Sequence, residues 1–127
     1  MSTIIGLIKK GGFNCVRLQF SLELLRYNPK VDPQVLTKEP SLIGLGGFDI
    51  YQNVVGNLTQ NGVMVILDNH ISDSEWCCDQ NDLNGLWYNE RYSEEDFFNY
   101  WKSIVNVFKE NPLVIGCDLR NEIRLTK

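Results

Sequence analysis

The sequence predicts an α/β fold built on a parallel sheet, and three observations predict it. Strand-like and helix-like apolar patterns alternate along the chain, which is the order that parallel sheets with crossover helices require. Val63-Met64-Val65-Ile66-Leu67 is a short unbroken apolar run, as in a strand covered on both faces. Each strand-like segment also ends in polar groups: Ser21 and Glu23, then Asp68 to His70, then Arg120 to Glu122.

Thr3 to Lys10 reads as the end of a helix. Asn14 to Phe20 follows as a strand, with Val16, Leu18 and Phe20 on one face and Cys15, Arg17 and Gln19 on the other. Residues Tyr27 to Gly47, with three prolines and three glycines, read as a long loop within one domain. Phe48 to Asn61 carries Phe48, Tyr51, Val54, Val55 and Leu58 at helical spacing, and Asn61-Gly62 stops it because glycine accepts the left-handed conformation after a last turn. Val63 to Asp68 is the second strand. A polar, aromatic-rich loop runs from Ile71 to about Tyr92. Ser93 is placed to cap a helix whose first turn holds Glu94, Glu95 and Asp96, where negative charge suits the helix dipole. Phe97, Phe98, Trp101, Ile104, Val105 and Phe108 should form its apolar face, and Asn111-Pro112 ends it. Val114 to Leu119 is the third strand. A barrel fits better than an open sheet. Arg17 sits opposite an apolar face in its strand, as expected where one face meets outer helices and the other points to a barrel axis.

Composition bounds the function. The chain has 127 residues, long enough for one domain with a core, and 43% hydrophobic content is ordinary for a globular protein. A net charge of −4 and a pI near 4.9 argue against nucleic acid or an anionic membrane as the main partner. No apolar run approaches the roughly 18 residues of a membrane helix. The first residues lack the basic leader of a signal peptide. Of the four cysteines, none forms a CxxC pair, so neither a zinc site nor a thioredoxin-type pair is indicated, and no cofactor is expected. Cys15 and Cys117 lie in apolar runs and are expected in the core, whereas Cys77-Cys78 sits in a polar loop and could be oxidised in a secreted protein, a state the sequence leaves open. Asp79 to Gly85 fails the calcium-loop pattern: Leu83 occupies a ligand position and Gly85 comes one residue late. Asn57-Leu58-Thr59 is a glycosylation sequon, meaningful only in a secreted chain.

Four motifs in order then narrow the reading: Gly12-Phe13-Asn14-Cys15-Val16-Arg17-Leu18, Val65-Ile66-Leu67-Asp68-Asn69-His70, Trp76-Cys77-Cys78 and Asp118-Leu119-Arg120-Asn121-Glu122. Together they resemble glycoside hydrolase family 5, the cellulase family, in its plant and microbial endoglucanase-like branch. The resemblance spans nearly the whole chain. It implies a partial (β/α)8 TIM barrel covering about the second to fourth strands with their helices, so that residues 1–127 form one partial catalytic domain from the amino-terminal half. It implies a retaining hydrolase of β-linked polysaccharide, extracellular in the family. Glu122 would be the acid/base, because a glycosidic oxygen leaves poorly unless a carboxylic acid protonates it. Asn121 would hydrogen-bond the sugar 2-hydroxyl, Arg17 would orient the nucleophile, and His70 would donate to a hydroxyl. The familiar Asn-Glu-Pro is here Asn121-Glu122-Ile123.

Each residue also has a plainer reading. Glu122 alone could be a solvated loop residue, Arg17 a structural ion pair and His70 a satisfied surface group. Trp76 and Trp87 could stack on sugar rings or form a small loop core; Trp101 belongs to the helix face. The resemblance puts the nucleophile on the seventh strand. A full barrel takes about 250 residues, so the chain holds only one carboxylate of the pair and is expected to be inactive alone. Glu23, Glu75 and Glu90 are present, but none occupies the nucleophile's place. Two alternatives remain at this point: a non-catalytic sugar-binding remnant using His70, Trp76 and Trp87, and an unrelated doubly wound nucleotide-binding domain. The second lacks a G-x-G-x-x-G or P-loop after any strand.

Overall fold

A computed structural model describes residues 2–79 and 81–125. In chain order the main elements are α1 (Ser2–Lys10), β1 (Cys15–Ser21), α2 (Leu22–Tyr27), α3 (Gly47–Gln60), β2 (Met64–Ile71), α4 (Glu94–Phe108) and β3 (Val114–Asp118), with two short 3-10 turns between α2 and α3. The sheet order is β1-β2-β3, and both pairs are parallel, as the alternation required. Arg17 lies opposite Ile66, and Asp68 lies opposite both Gln19 and Asp118. Side chains alternate along a strand, so this register gathers Arg17, Gln19, Asp68, His70 and Asp118 on one face.

The other face meets the helices. Phe20, Val65 and Leu67 are buried there with Tyr51, Val55 and Leu58 from α3 and Phe97, Trp101, Ile104 and Phe108 from α4. These positions recur at helical spacing, so one stripe of each helix is apolar. Phe20 holds the centre, edge-on to Trp101 at 5.2 Å and to Tyr51 at 6.0 Å. The expected α4 face is too wide: Phe98 and Val105 are exposed. They share a separate stripe, seven residues apart, that points past the sheet. Cys15 is half-buried and Cys117 exposed, against the expectation of core thiols. Apolar neighbours in sequence do not bury a side chain on an edge strand.

Helix ends account for the remaining differences. The sequence reading missed α2, placing Ser21 and Glu23 at the end of a strand. Ser21, the last residue of β1, also caps α2, accepting from Leu24 N at 3.0 Å, while Glu23 lies in the first turn of α2 and accepts from Ser74 N at 2.6 Å. Asn28, left-handed at φ 40°, closes α2 and then serves α3 from a distance. The N-cap of α3 is Gly46, which has no side chain, so Asn28 Oδ1 accepts from Phe48 N at 2.8 Å in its place. A Cβ on Gly46 would lie 2.1 Å from that oxygen, which is why glycine stands there. Gly62, at φ 76°, ends α3 as expected. β2 runs three residues beyond the strand end expected at Asp68, carrying Asn69, His70 and Ile71 in extended backbone. No described helix is long and apolar enough to cross a membrane.

The N-terminus of α4 closes a reciprocal cap. Asp96 N donates to Ser93 Oγ at 3.1 Å, while Asp96 Oδ2 accepts from Ser93 N and Oγ at 2.9 Å. Those bonds from the Ser93 backbone and hydroxyl hold the Asp96 carboxyl below its ordinary range. A depressed folded pKa gives stability that is present above the unfolded value and lost as pH falls through the folded one. Ser93→Ala removes the hydroxyl of this cap and is expected to lower the urea midpoint at neutral pH. The deficit should narrow below about pH 3.9, where Asp96 in the unfolded chain protonates. A deficit that stays constant through that range would contradict the cap.

Candidate active site

The carboxyl end of the sheet gathers the polar groups through Arg17. Its Nη1 lies 3.0 Å from Asp68 Oδ2 on β2, its Nε donates to Asp118 Oδ2 on β3 at 2.9 Å, and its Nη2 donates to Asn121 Oδ1 at 2.8 Å. One guanidinium thus bridges all three strands, using the fork of donors that lysine lacks. Asp68 is fully buried on the sheet's polar face. Burial pushes its pKa up, opposed by the hydrogen bond from His70 and the charge of Arg17.

The same bonds orient Asn121 and His70. With Oδ1 turned to Arg17, Asn121 Nδ2 points to His70 Nε2 at 3.5 Å and to Cys77 Sγ at 3.3 Å. His70 Nδ1 lies 2.8 Å from Asp68 Oδ2, a pure acceptor when ionised, so Nδ1 carries the proton. Nε2 then faces Gln19 Nε2 at 3.3 Å and Asn121 Nδ2 as an acceptor. A neutral His70 offers a sugar hydroxyl an acceptor; the donor expected from the sequence exists only in the imidazolium.

Glu122 follows in the left-handed region, at φ 40°. A non-glycine residue held there is strained backbone of the kind found at functional sites. The segment is anchored by Asn121 N to Asn69 O at 3.0 Å and by Trp101 Nε1 to Leu119 O at 3.1 Å. Glu122, Asn121, His70, Gln19, Glu75, Trp76 and the Cys77–Cys78 pair line one cavity of about 340 Å³. Of the expected residues, Glu122, Asn121, His70 and Trp76 meet at this cavity and Arg17 braces it from beneath. Trp76 is 90% exposed there. Trp87 does not join them. It packs against the helix core and donates to Glu94 Oε1 at 2.9 Å, so it belongs to the loop core.

Arg120 also turns away. Its Nε donates to Leu86 O at 3.1 Å and its Nη2 to Asn84 O, tying the loop before α4 to the segment after β3. Burial, with Arg124 nearby, lowers its pKa to about 10. Arg124 pairs with Asp82 of that loop and donates to Asp79 O at 2.9 Å. The Asp82 carboxylate is thus turned to a guanidinium; Gln80 of the same loop lies outside the described residues. Sequence reasoning named Asp68 only as a polar strand end and did not single out Gln19 or Asp118. The signal was alternation: Arg17, Gln19, Asp68 and Asp118 all fall on one face once the three strands are in register.

A parallel sheet with helices on one face and convergent polar groups at its carboxyl ends is the wall of a β/α barrel, with the site where barrel enzymes keep theirs. Comparison with known proteins agrees. The family model "Cellulase (glycosyl hydrolase family 5)" matches residues 1–127. An endoglucanase of Paenibacillus polymyxa is 33% identical over 122 residues, 96% of this chain and 29% of its own length. The structure of a hyperthermophilic endocellulase from Pyrococcus horikoshii superposes with a TM-score of 0.80 at 32% identity, covering 98% of this chain and 32% of that one. A variant of a Pyrococcus horikoshii endocellulase bound to cellotetraose matches with a TM-score of 0.76 at 33% identity, over 94% of this chain and 30% of that one. The chain belongs to the cellulase family, glycosyl hydrolase family 5. It spans about a third or less of the length of these relatives, and its fold is the matching part of their barrel.

Two expectations follow. Nitrogen NMR of His70 should show the Nδ1–H tautomer, and Asp68→Ala should release it; an Nε2–H ring in the unaltered chain would contradict the bond to Asp68. Arg120→Met leaves the carbonyls of Asn84 and Leu86 without their donor. A buried group so stranded costs about 1–3 kcal/mol, so urea unfolding should show a loss on that scale, with protease cleavage rising first between residues 79 and 92. Unchanged stability and cleavage would mean that the tether does not hold the loop.

Proposed function

We propose that this chain supplies the acid/base side of a retaining glycosidase site for β-linked glucan, with Glu122 as the proton donor. One observation carries the reading: Glu122 shares a cavity with Asn121, His70 and an exposed Trp76 at the carboxyl end of a parallel sheet. The glycosidic oxygen needs a proton to leave, and a carboxylic acid at the cavity wall can give it. Asn121 Nδ2, turned outward by Arg17, is available to donate to the sugar 2-hydroxyl. Trp76 offers its ring face to the apolar face of a sugar.

The positive charge developing at the anomeric carbon needs a second carboxylate about 5–5.5 Å from the first, on the opposite side of the sugar. In this reading a strand beyond β1–β3 brings it, and the 127-residue chain alone binds without turnover. Cello-oligosaccharides are the proposed ligands, in keeping with the cellotetraose complex of the Pyrococcus relative. The reading places the protein outside the cell, where adjacent cysteines oxidise.

The test compares Glu122→Gln with the unaltered residue in a complete barrel carrying this segment. General acid catalysis contributes about 10²–10⁴-fold, so glycosylation of a cello-oligosaccharide should slow on that scale. An aryl glycoside with an acidic phenol leaves with little help, and its glycosylation step should slow far less. Equal losses in pre-steady-state kinetics on both substrates would remove Glu122 from the acid role.

A further inference from the structure

We infer that the bonded pair Cys77–Cys78 is a positioning group for Asn121 and forms the apolar wall of the Glu122 cavity. The part concerning sugar rests on the function proposed above; the part concerning Asn121 does not. Three observations carry the inference. The two neighbouring cysteines are joined to each other, whereas Cys15 and Cys117 are free. Both line the cavity that holds Glu122. Asn121 Nδ2 meets both sulfurs, at 3.3 Å to Cys77 and 3.9 Å to Cys78.

The physical argument concerns freedom. Cys77 and Cys78 form a turn, and the bond between their sulfurs removes the independent side-chain rotation that two free thiols would keep. The bond closes a small ring on one peptide unit, and Cys78 takes φ 80°, in the left-handed region a non-glycine residue rarely adopts. Both sulfurs then move only with the loop backbone. Asn121 is held from two sides: its oxygen by Arg17 and its amide nitrogen by this wall and His70. A hydroxyl that takes the amide proton replaces a weak sulfur acceptor and leaves the Arg17 bond in place.

The wall also matches one class of ligand. His70, Gln19, Asn121 and Glu122 give the cavity its hydrogen-bonding groups, while the sulfurs and the neighbouring Trp76 give it apolar, polarizable surface. A pyranose has the same division, with hydroxyls at its rim and C–H bonds on its faces. The disulfide thus sets the depth at which a sugar face rests while its hydroxyls reach Asn121.

The experiment uses the 127-residue chain with nitrogen-15 in its asparagines and in its tryptophan indoles. Asn121→Asp identifies the Asn121 amide pair by its disappearance. Alkylation of the unreduced chain should label Cys15 and Cys117 and spare Cys77 and Cys78. Reduction with a phosphine should shift the Asn121 amide, and C77S/C78S should give the same shift without reductant. The Trp101 indole, bonded to Leu119 O, should stay in place and report an intact core. C15S/C117S, which keeps the pair, should behave as the unaltered chain. Cellotetraose, titrated by calorimetry, should bind the oxidised chain several-fold more tightly than the reduced one. An Asn121 amide that ignores reduction while Trp101 is unmoved overturns the inference, as does labelling of Cys77 and Cys78 before reduction. An amide that shifts, with cellotetraose bound by neither form, upholds the positioning role and sinks the carbohydrate reading instead.

Discussion

Arg17 is a cation set among strands, and the arrangement at the sheet's end follows from what its guanidinium must satisfy. It bonds Asp68 on the central strand, Asp118 on the far strand and Asn121 just beyond. A buried carboxylate is tolerated only when paired, so Asp68 holds Arg17 as firmly as Arg17 holds it. Asn121 then has no choice of orientation, because its oxygen is taken. His70 has none either, because Asp68 demands a proton from Nδ1. Such a network is satisfied as a whole or strained as a whole. It ties three strands to one geometry of the residues beside Glu122.

A second set of bonds works from the other side of the same segment. Arg120 and Arg124 leave the cavity and reach into the loop between β2 and α4, meeting Leu86, Asn84, Asp79 and Asp82. That loop is not loose: Asn84 and Tyr92 are buried, and Asp73 takes bonds from Asn89 and Arg91. Its early part carries Trp76 and the cysteine pair that line the cavity. Asn121 and Glu122 thus sit between two anchored walls, one made by strands and one by the loop. Glu122 can keep a left-handed backbone because both its flanks are tied down.

Where sequence and structure part, the cause is a side chain choosing between neighbours. Arg120 stands in the same motif as Asn121 and Glu122, yet it points away from the cavity. Two carbonyls of a loop far off in sequence, the nearer 34 residues before it, hold it there. Trp87 and Trp76 are equivalent on paper. Trp87 has a partner in Glu94 and a core to lean on, and Trp76 has open space. Ser21 is both the last residue of β1 and the cap of α2, so Glu23, which looks like a second strand-end group, belongs to the helix.

The sequence by itself determined the alternation of strands and helices, the parallel order, the caps at Ser93 and Gly62, and the placing of polar groups at strand ends. These depend on local periodicity and backbone preference, which neighbouring residues carry. Four ordered motifs also determined the family. Only the tertiary structure decided that Arg17 bridges Asp68 and Asp118, which His70 nitrogen bears the proton, which tryptophan faces the cavity, and that Cys77 and Cys78 turn their sulfurs to Asn121. Each of these depends on the register of strands about 50 residues apart or on a loop folded back against them. A polar side chain takes its orientation from whichever partner that folding brings within hydrogen-bond distance, and local sequence does not encode the partner.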